Sequence, residues 1–327
     1  MENYWCVLMG VLKLRVSMAG TLAIIIGLST LFFTLILSLL ELFDFLTLGI
    51  LVVGFNIVQW LISPYLIGAL YRTRELPLNE NPNLQTMVED LSKKSGIKKP
   101  KLMLAQIPIP NAFAYGSPLA GNRIAVTTGL LNTLDSGEVE AVIGHELGHL
   151  KHKDVQTMMF VSMLPALLTY IGYSLMLSMR GRSRNEGSSG AMLGIVFMAF
   201  SWILNLFILY LSRLREYYAD RYSASIVNDG PRKLSSGLAK IVQTTRNMGR
   251  TGKTTKTQSA FKALFIADPD HAAIDSAEIS RLASASNGQK LVEEIVSRKL
   301  TTAERLIEIL STHPNIVKRL KALQELS

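Results

Sequence analysis

Cysteine is almost absent from this chain: Cys6 is the one thiol in 327 residues. An internal disulfide framework is therefore excluded, as expected of a protein whose polar part stays in a reducing compartment. Charge is scarce too, at 18% of residues against 49% hydrophobic, which is too apolar for an ordinary soluble enzyme of this length. No internal repeat is evident. The formal net charge of +9 does not gather into a nucleic-acid patch. The basic residues are scattered and crowd the ends of apolar runs, where retention on the cytoplasmic side of a membrane accounts for them. Neither nucleic acid nor nucleotide is expected as a partner.

What the chain has instead is four uncharged stretches: Val16–Leu40, Phe45–Tyr71, Val155–Met179 and Gly187–Ser212. Each exceeds the ~20 residues a helix needs to cross ~30 Å of hydrocarbon. Four such runs read as transmembrane helices rather than buried core helices. The first is too long for the apolar part of a signal peptide, and the second follows almost at once. Lys13 and Arg15 precede the first run, and Arg72 and Arg74 follow the second. Lys151 and Lys153 precede the third, and Arg213 and Arg215 follow the fourth. This pattern puts the ends of both hairpins in the cytoplasm. Arg180, Arg182 and Arg184 dissent, because they fall in a turn that the same topology places outside.

The chain thus divides into an N-terminal transmembrane hairpin (1–71), a polar segment (72–154), a second hairpin (155–212) and a helix-rich polar remainder (213–327). In the first polar segment, periodicity predicts helices at Asn83–Ser95 and Asp135–His152. Strand-like pieces lie between them at Lys101–Leu104, Ala112–Tyr115 and Arg123–Thr127. Arg246–Ser259, with Gly, Thr and Lys but almost no apolar residue, reads as a flexible loop.

The second predicted helix carries the chemistry. Its sequence Ala141-Val-Ile-Gly-His-Glu-Leu-Gly-His-Leu150 contains H-E-x-x-H. Four residues make about one helical turn, so His145 and His149 project from one face and can meet on a single zinc ion, with Glu146 beside them over the attacking water. Asp135 and Glu138 provide a capping-box start, and Val139, Val142, Ile143 and Leu150 an apolar side. Zinc is preferred because two imidazoles, a carboxylate and an open water position make a catalytic zinc site.

A third ligand is needed. His152 lies on a similar face, but a ligand three residues past His149 on the same helix would crowd the site. The better candidate is Glu216 in Glu216-Tyr-Tyr-Ala-Asp220. His149 lies just before the third apolar run and Glu216 just after the fourth, and two crossings return the chain to the side it left. Asp220, one turn beyond Glu216, is placed to accept the other ring N–H of a liganding histidine. Asp154 is a second candidate for that task.

These features, in order, resemble the HtpX-type membrane proteases, relatives of the Ste-type CAAX prenyl proteases and the mitochondrial Oma-type proteases. The resemblance rests on the two apolar pairs, Asn111-Ala-Phe-Ala-Tyr-Gly116, His145-Glu-Leu-Gly-His149, Glu216-Tyr-Tyr-Ala-Asp220, Ala263-Leu-Phe-Ile266, and Thr312-His-Pro314 with Arg319. It implies a mainly α membrane protein with four transmembrane helices and a cytoplasmic α+β zincin-like (gluzincin) metalloprotease domain containing a small β-sheet. It implies one zinc ion per chain on His145, His149 and Glu216, with Glu146 as base. Asn111, Ala112, Phe113, Ala114 and Tyr115 would form the edge that receives substrate, and His313 and Arg319 would approach the active centre. Where the family usually has a second proline after His-Pro, this chain has Asn315. His313 has a warrant of its own as an imidazole in a loop near the end of a helical run, whereas Arg319 by itself is a helix-surface charge like Lys318.

The implied activity is endoproteolysis of misfolded or damaged membrane proteins at the cytoplasmic leaflet of the cell membrane. Polypeptides and the lipid bilayer are then the partners. Lys151, His152, Lys153 and Asp154 follow the motif and hold it at the membrane edge, unlike an intramembrane site-two-type protease. Two alternatives remain open: CAAX-type processing, and a non-catalytic membrane scaffold, which would not need Glu146 beside two histidines. His313 or Arg319, with the zinc, would stabilise the oxyanion of the transition state, and Tyr115 and His271 are weaker candidates for that role.

Overall fold

Capping chemistry and alternation locate most elements of this chain. The computed structural model describes residues 45–161, 187–250, 288–309 and 311–326, together with Pro165, Leu168 and Gly172. The run Val16–Leu40, most of Val155–Met179, the segment 263–266 and His271 lie outside the described residues. Helix α1 (Phe45–Leu70) leads into the short strand β1 (Thr73–Glu75). Helix α2 (Pro82–Ser95) starts at Asn81, whose side chain accepts the Leu84 N–H at 3.2 Å. Proline suits its first turn, where no N–H is needed, and Gly96 ends it in the left-handed region at φ 63°.

Three further strands follow: β2 (Lys101–Ala105), β3 (Ala112–Ser117) and β4 (Gly121–Thr127). The sheet order is β1-β2-β4-β3, with β2 parallel to β4 and the other pairs antiparallel. Three residues of β1 are too few for alternation to announce a strand. After the short α3 (Thr128–Thr133) comes α4 (Ser136–Lys151), which carries the H-E-x-x-H motif. Its capping box is formed: Asp135 accepts the Glu138 N–H at 2.9 Å, and Glu138 accepts the Asp135 N–H at 3.0 Å.

The remaining helices are α5 (Asp154–Val161), α6 (Gly187–Ile226), α7 (Gly230–Arg250), α8 (Gly288–Ser297), α9 (Thr302–Ile309) and α10 (Ile316–Gln324). Helix α7 runs through Arg250, so the segment read as a loop from Arg246 is helical at its start. Its buried stripe of Leu234, Leu238 and Ile241 nucleates the helix upstream, and each further residue then adds at little cost.

The described residues form two compact units, one ending at Ile62 and resuming over Lys153–Ser212, the other comprising Ser63–His152 and the chain from Arg213 onward. In the second, Leu102, Leu104, Ala112, Ile124 and Val126 of the sheet share a core with Val88 and Leu91 of α2, Val142 and Ile143 of α4, Leu238 of α7 and Leu320 of α10. Alternation sends Met103, Phe113, Tyr115 and Ala125 to the opposite face, where they pack with Tyr71. The Tyr71 and Phe113 rings are 4.8 Å apart.

The first unit is apolar on its outside. Met192, Val196, Phe200, Ile203 and Phe207 of α6 are all exposed, a pattern water penalises and lipid accommodates. Among the described residues one helix, Met192–Ile226, is long and apolar enough to cross a membrane, and Ile57–Leu70 is a shorter apolar stretch. Inside this unit, Ser201 Oγ donates to the Pro165 carbonyl at 2.6 Å. A β-carbon on Gly172 would stand 2.7 Å from the Gly194 carbonyl oxygen, so backbones approach closely there.

Candidate metal centre

Helix α4 and the C-terminal turns of α6 meet through residues with almost no side chain. A β-carbon on Gly144 would stand 3.0 Å from both Ser223 Oγ and Val227 Cγ2, and one on Gly148 would stand 3.1 Å from Ala219 Cα. Ser223 Oγ closes the contact by donating to the Ala141 carbonyl at 2.6 Å. Each glycine gives up about 1 kcal/mol of helix preference relative to alanine, and in return the helices pack backbone to backbone. His145 and His149 each follow one of these glycines, so the close approach brings α6 carboxylates up to both imidazoles.

The result is a buried cluster. His145 Nε2 and His149 Nε2 are 3.1 Å apart, and each lies 3.6 Å from a Glu216 oxygen. Among the described residues these three form a group whose ligand atoms all lie within 4.8 Å of one another. Donors about 2.0–2.2 Å from a tetrahedral ion are themselves about 3.3 Å apart, and the separations here bracket that value. Glu216 Oε2 is buried and no contact to it has hydrogen-bond geometry, although the Arg319 guanidinium lies 3.1 Å away as an ion-pair partner; a metal ion would add a directional bond to this acceptor. The donor set and its spacing fit a catalytic zinc site with an open fourth position.

Around this trio the charges are arranged in layers. His145 Nδ1 donates to Asp220 Oδ1 at 2.9 Å, which leaves its Nε2 lone pair toward Glu216 and His149. Arg319 Nε and Nη2 donate to Asp220 at 2.6 and 2.7 Å. Arg319 Nη1 lies 3.1 Å from Glu216 Oε2, and Nη2 is 3.2 Å from His145 Nε2. Arg319 is 2% exposed. Burial opposes its charge, yet Asp220 and Glu216 more than offset this and hold the guanidinium above its ordinary pKa. His313 Nδ1 lies 3.6 Å from Glu216 Oε2.

Glu146 follows His145 on α4 and is buried, and its side chain makes no hydrogen bond or ion pair with another described residue. His152 caps the C-terminal end of α4, with its ring set edge-on against Tyr222 and Tyr218 at centroid distances of 5.5 and 6.4 Å rather than in the trio. Asp154 is buried at the start of α5, in the other compact unit.

Asn111 is fully enclosed, its backbone N–H on Thr127 Oγ1 at 2.9 Å. The strand that follows it, β3, is an edge of the sheet among the described residues. Its side chains are already committed: Ala112 and Ala114 to the helical core, Phe113 and Tyr115 to the opposite face. The Tyr115 hydroxyl hydrogen-bonds Thr73 Oγ1 at 3.3 Å. What β3 has left to offer a partner is its backbone edge. The glycine contact was missed in reading the sequence, although its signal is present: small residues four apart on both helices, at Gly144 and Gly148 and at Ala219 and Ser223.

Comparison with known proteins finds relatives along nearly the whole chain. Residues 78–327 match the profile of peptidase family M48. The chain is 40% identical over 279 residues to the "Protease HtpX homolog" of Thermoplasma acidophilum, with 83% of this chain and 82% of that protein covered. It is 37% identical over 337 aligned residues to the "Protease HtpX homolog 2" of Saccharolobus solfataricus, covering 97% and 98% of the two. The crystal structure of S. mikatae Ste24p is similar in fold, with a TM-score of 0.53 at 17% identity, 91% of this chain being covered. The chain spans only 62% of that protein's length.

Proposed function

This chain belongs to peptidase family M48, and from that premise we propose that it is a membrane-embedded, zinc-dependent endopeptidase. One observation carries the reading: two imidazoles of α4 and the Glu216 carboxylate of α6 converge at 3.1–3.6 Å, with the buried Glu146 next to His145 in the chain. His145, His149 and Glu216 would hold one zinc ion. When bound, zinc supplies a Lewis acid for the scissile carbonyl and lowers the pKa of the attacking water.

The chain's own residues do the rest. Asp220 keeps the Nδ1 hydrogen on His145, so that Nε2 is free to ligate. Arg319 neutralises Asp220 and Glu216, a role behind the ligands rather than on the substrate. Glu146 accepts a proton from the water as the carbonyl carbon gains its new C–O bond. It then delivers that proton to the amine nitrogen as the C–N bond breaks. His313 donates to the oxyanion. An extended polypeptide adds as a strand along the open edge of β3, from Asn111 to Tyr115, so backbone hydrogen bonds provide affinity with little side-chain preference.

The catalytic domain would be assembled from 72–154 and 213–327, with the hairpins 1–71 and 155–212 crossing the cell membrane as four helices and the site facing the cytoplasm. Substrates would be misfolded or damaged membrane proteins. Support comes from the outward apolar faces and the long apolar helix Met192–Ile226. Zinc analysis and cleavage of an unfolded membrane protein by wild type and Glu146→Gln test the chemistry. The variant is expected to keep its zinc and lose about 100-fold or more in rate; zinc-loaded Glu146→Gln cleaving like wild type would sink the reading. Cleavage confined to prenylated CAAX peptides would favour the prenyl-processing alternative. Reporters fused within 180–190 test the topology, and a cytoplasmic signal there would remove the second crossing.

A further inference from the structure

Arg213 is the first charged residue after the apolar stretch of α6, three residues before Glu216. By sequence it belongs with the basic residues that mark the cytoplasmic end of a span. Its guanidinium is committed to the polypeptide instead. Arg213 is 9% exposed, and its Nη1 donates to the carbonyls of Glu308, Ile309 and Ser311 at 2.6, 3.1 and 2.7 Å. These carbonyls belong to the end of α9 and the start of the loop that carries His313. A helix C-terminus leaves its last carbonyls without intrahelical partners, and a cation is the favoured group to meet them.

The same loop is tied at its far end. The Asn315 N–H donates to Glu308 Oε1 at 3.2 Å, and the Asn315 side chain accepts the Val317 N–H at 2.9 Å, capping the helix that bears Arg319. Within the loop, the His313 N–H donates to Ser311 Oγ at 3.2 Å. Glu308, Ile309 and the loop from Ser311 to Asn315 are thus fastened to the helix of Glu216 through Arg213.

We propose that Arg213 is a positioning residue for the peptidase reaction. By gathering three carbonyls of the His313 loop onto the helix of Glu216, it sets how far the His313 imidazole reaches into the metal centre. Residues three apart on a helix share a face, so Arg213 fixes the loop in the frame of the ligand itself, with His313 Nδ1 3.6 Å from Glu216 Oε2. Charge is only part of the requirement. All three carbonyls converge on the single nitrogen Nη1, so a lysine ammonium has donors enough for them, but its shorter stem falls short of the position that Nη1 reaches and would hold some of these carbonyls and not all. The proposal rests on the reading of His313 as an oxyanion donor.

The test combines hydrogen exchange on the zinc-loaded full chain with a double-mutant cycle. Arg213→Gln is expected to speed amide exchange across 311–317 by about tenfold or more while zinc content stays at that of wild type. Its kcat should fall about 10- to 100-fold with KM little changed, a loss on the scale of removing an oxyanion donor. In a His313→Ala background the same substitution should cost less than about twofold, because both changes remove one function. Arg213→Lys should recover part of both readouts, and it carries the test if the glutamine variant does not fold. Unchanged exchange overturns the proposal, as does an Arg213→Gln loss of equal size in both backgrounds. Exchange does not depend on turnover, so failure of the peptidase reading, seen as Glu146→Gln cleaving like wild type, is told apart from failure of the pin.

Discussion

Gly148 of α4 faces Ala219 of α6 so closely that a β-carbon on the glycine would stand 3.1 Å from the alanine Cα. The contact sets how near the Glu216 helix can come to His145 and His149, and it turns a backbone feature into a condition on the metal centre.

Gly148→Ala should therefore weaken the site while improving the helix. Alanine adds about 1 kcal/mol of helix preference, but forcing the helices apart costs ~1–3 kcal/mol in overpacking. Zinc affinity measured by chelator competition is expected to drop about tenfold or more. An unchanged affinity would mean that the α4–α6 spacing does not limit the ligand geometry.

Glu216→Ala and His152→Ala separate the two candidates for the third ligand. Glu216 stands 3.6 Å from both imidazoles, whereas His152 rests against Tyr222. Elemental analysis should find zinc lost from the first variant and retained in the second; the reverse pattern overturns the assignment.

Asp220→Asn tests the histidine's orientation. The amide cannot carry the charge that Asp220 presents to His145 Nδ1 and Arg319, and loss of such a partner costs about 10- to 100-fold in metal affinity. Titration with a fluorescent zinc chelator reads this directly. Affinity equal to wild type would show that His145 does not need the contact.

Arg319→Met should destabilise the metal-free protein by ~3–5 kcal/mol, because Asp220 and Glu216 would be left as uncompensated buried anions. A bound divalent cation would restore part of that charge balance. The Tm deficit of the variant is therefore expected to shrink when zinc is added, and a deficit independent of zinc would argue against this electrostatic role.

Asp135 gives a pH dependence outside the metal centre. Partial burial raises its pKa, but the Glu138 N–H it accepts and nearby Lys240 outweigh that, so the net shift is below the ordinary 3.8. A carboxylate with a lowered folded-state pKa stabilises fully above its unfolded value, and that stability is lost as pH falls through the folded one. Asp135→Ala should cost ~1 kcal/mol near neutrality through loss of the N-cap. In denaturant titrations the difference from wild type should fade as the solution is acidified below pH ~4. A deficit constant with pH would remove the carboxylate from the account.

Local signals carried much of the fold. Asp135 and Glu138 locate the start of α4, and alternation at Lys101–Leu104, Ala112–Tyr115 and Arg123–Thr127 points to strands present at those positions. Strand β1 and the helical end of α7 were not legible, the first being too short for a period and the second depending on buried residues upstream. The pairing β1-β2-β4-β3 joins strands distant in the chain, and no local pattern encodes that order.

The metal motif was readable because a helix brings residues four apart onto one face, so His145, Glu146 and His149 are related by local geometry alone. Membership of family M48 is likewise a property of the ordered sequence. The settings of Arg213 and Arg319 were decided by tertiary structure. A charged residue on a helix has the same local pattern whether it meets water or a buried carboxylate. Only the packing of α9 and α10 against α6 determines that Arg213 holds three carbonyls and Arg319 two acids. Gly144 and Gly148 fall between these cases: the spacing of small residues was visible, but the helix they admit was known only once the chain had folded.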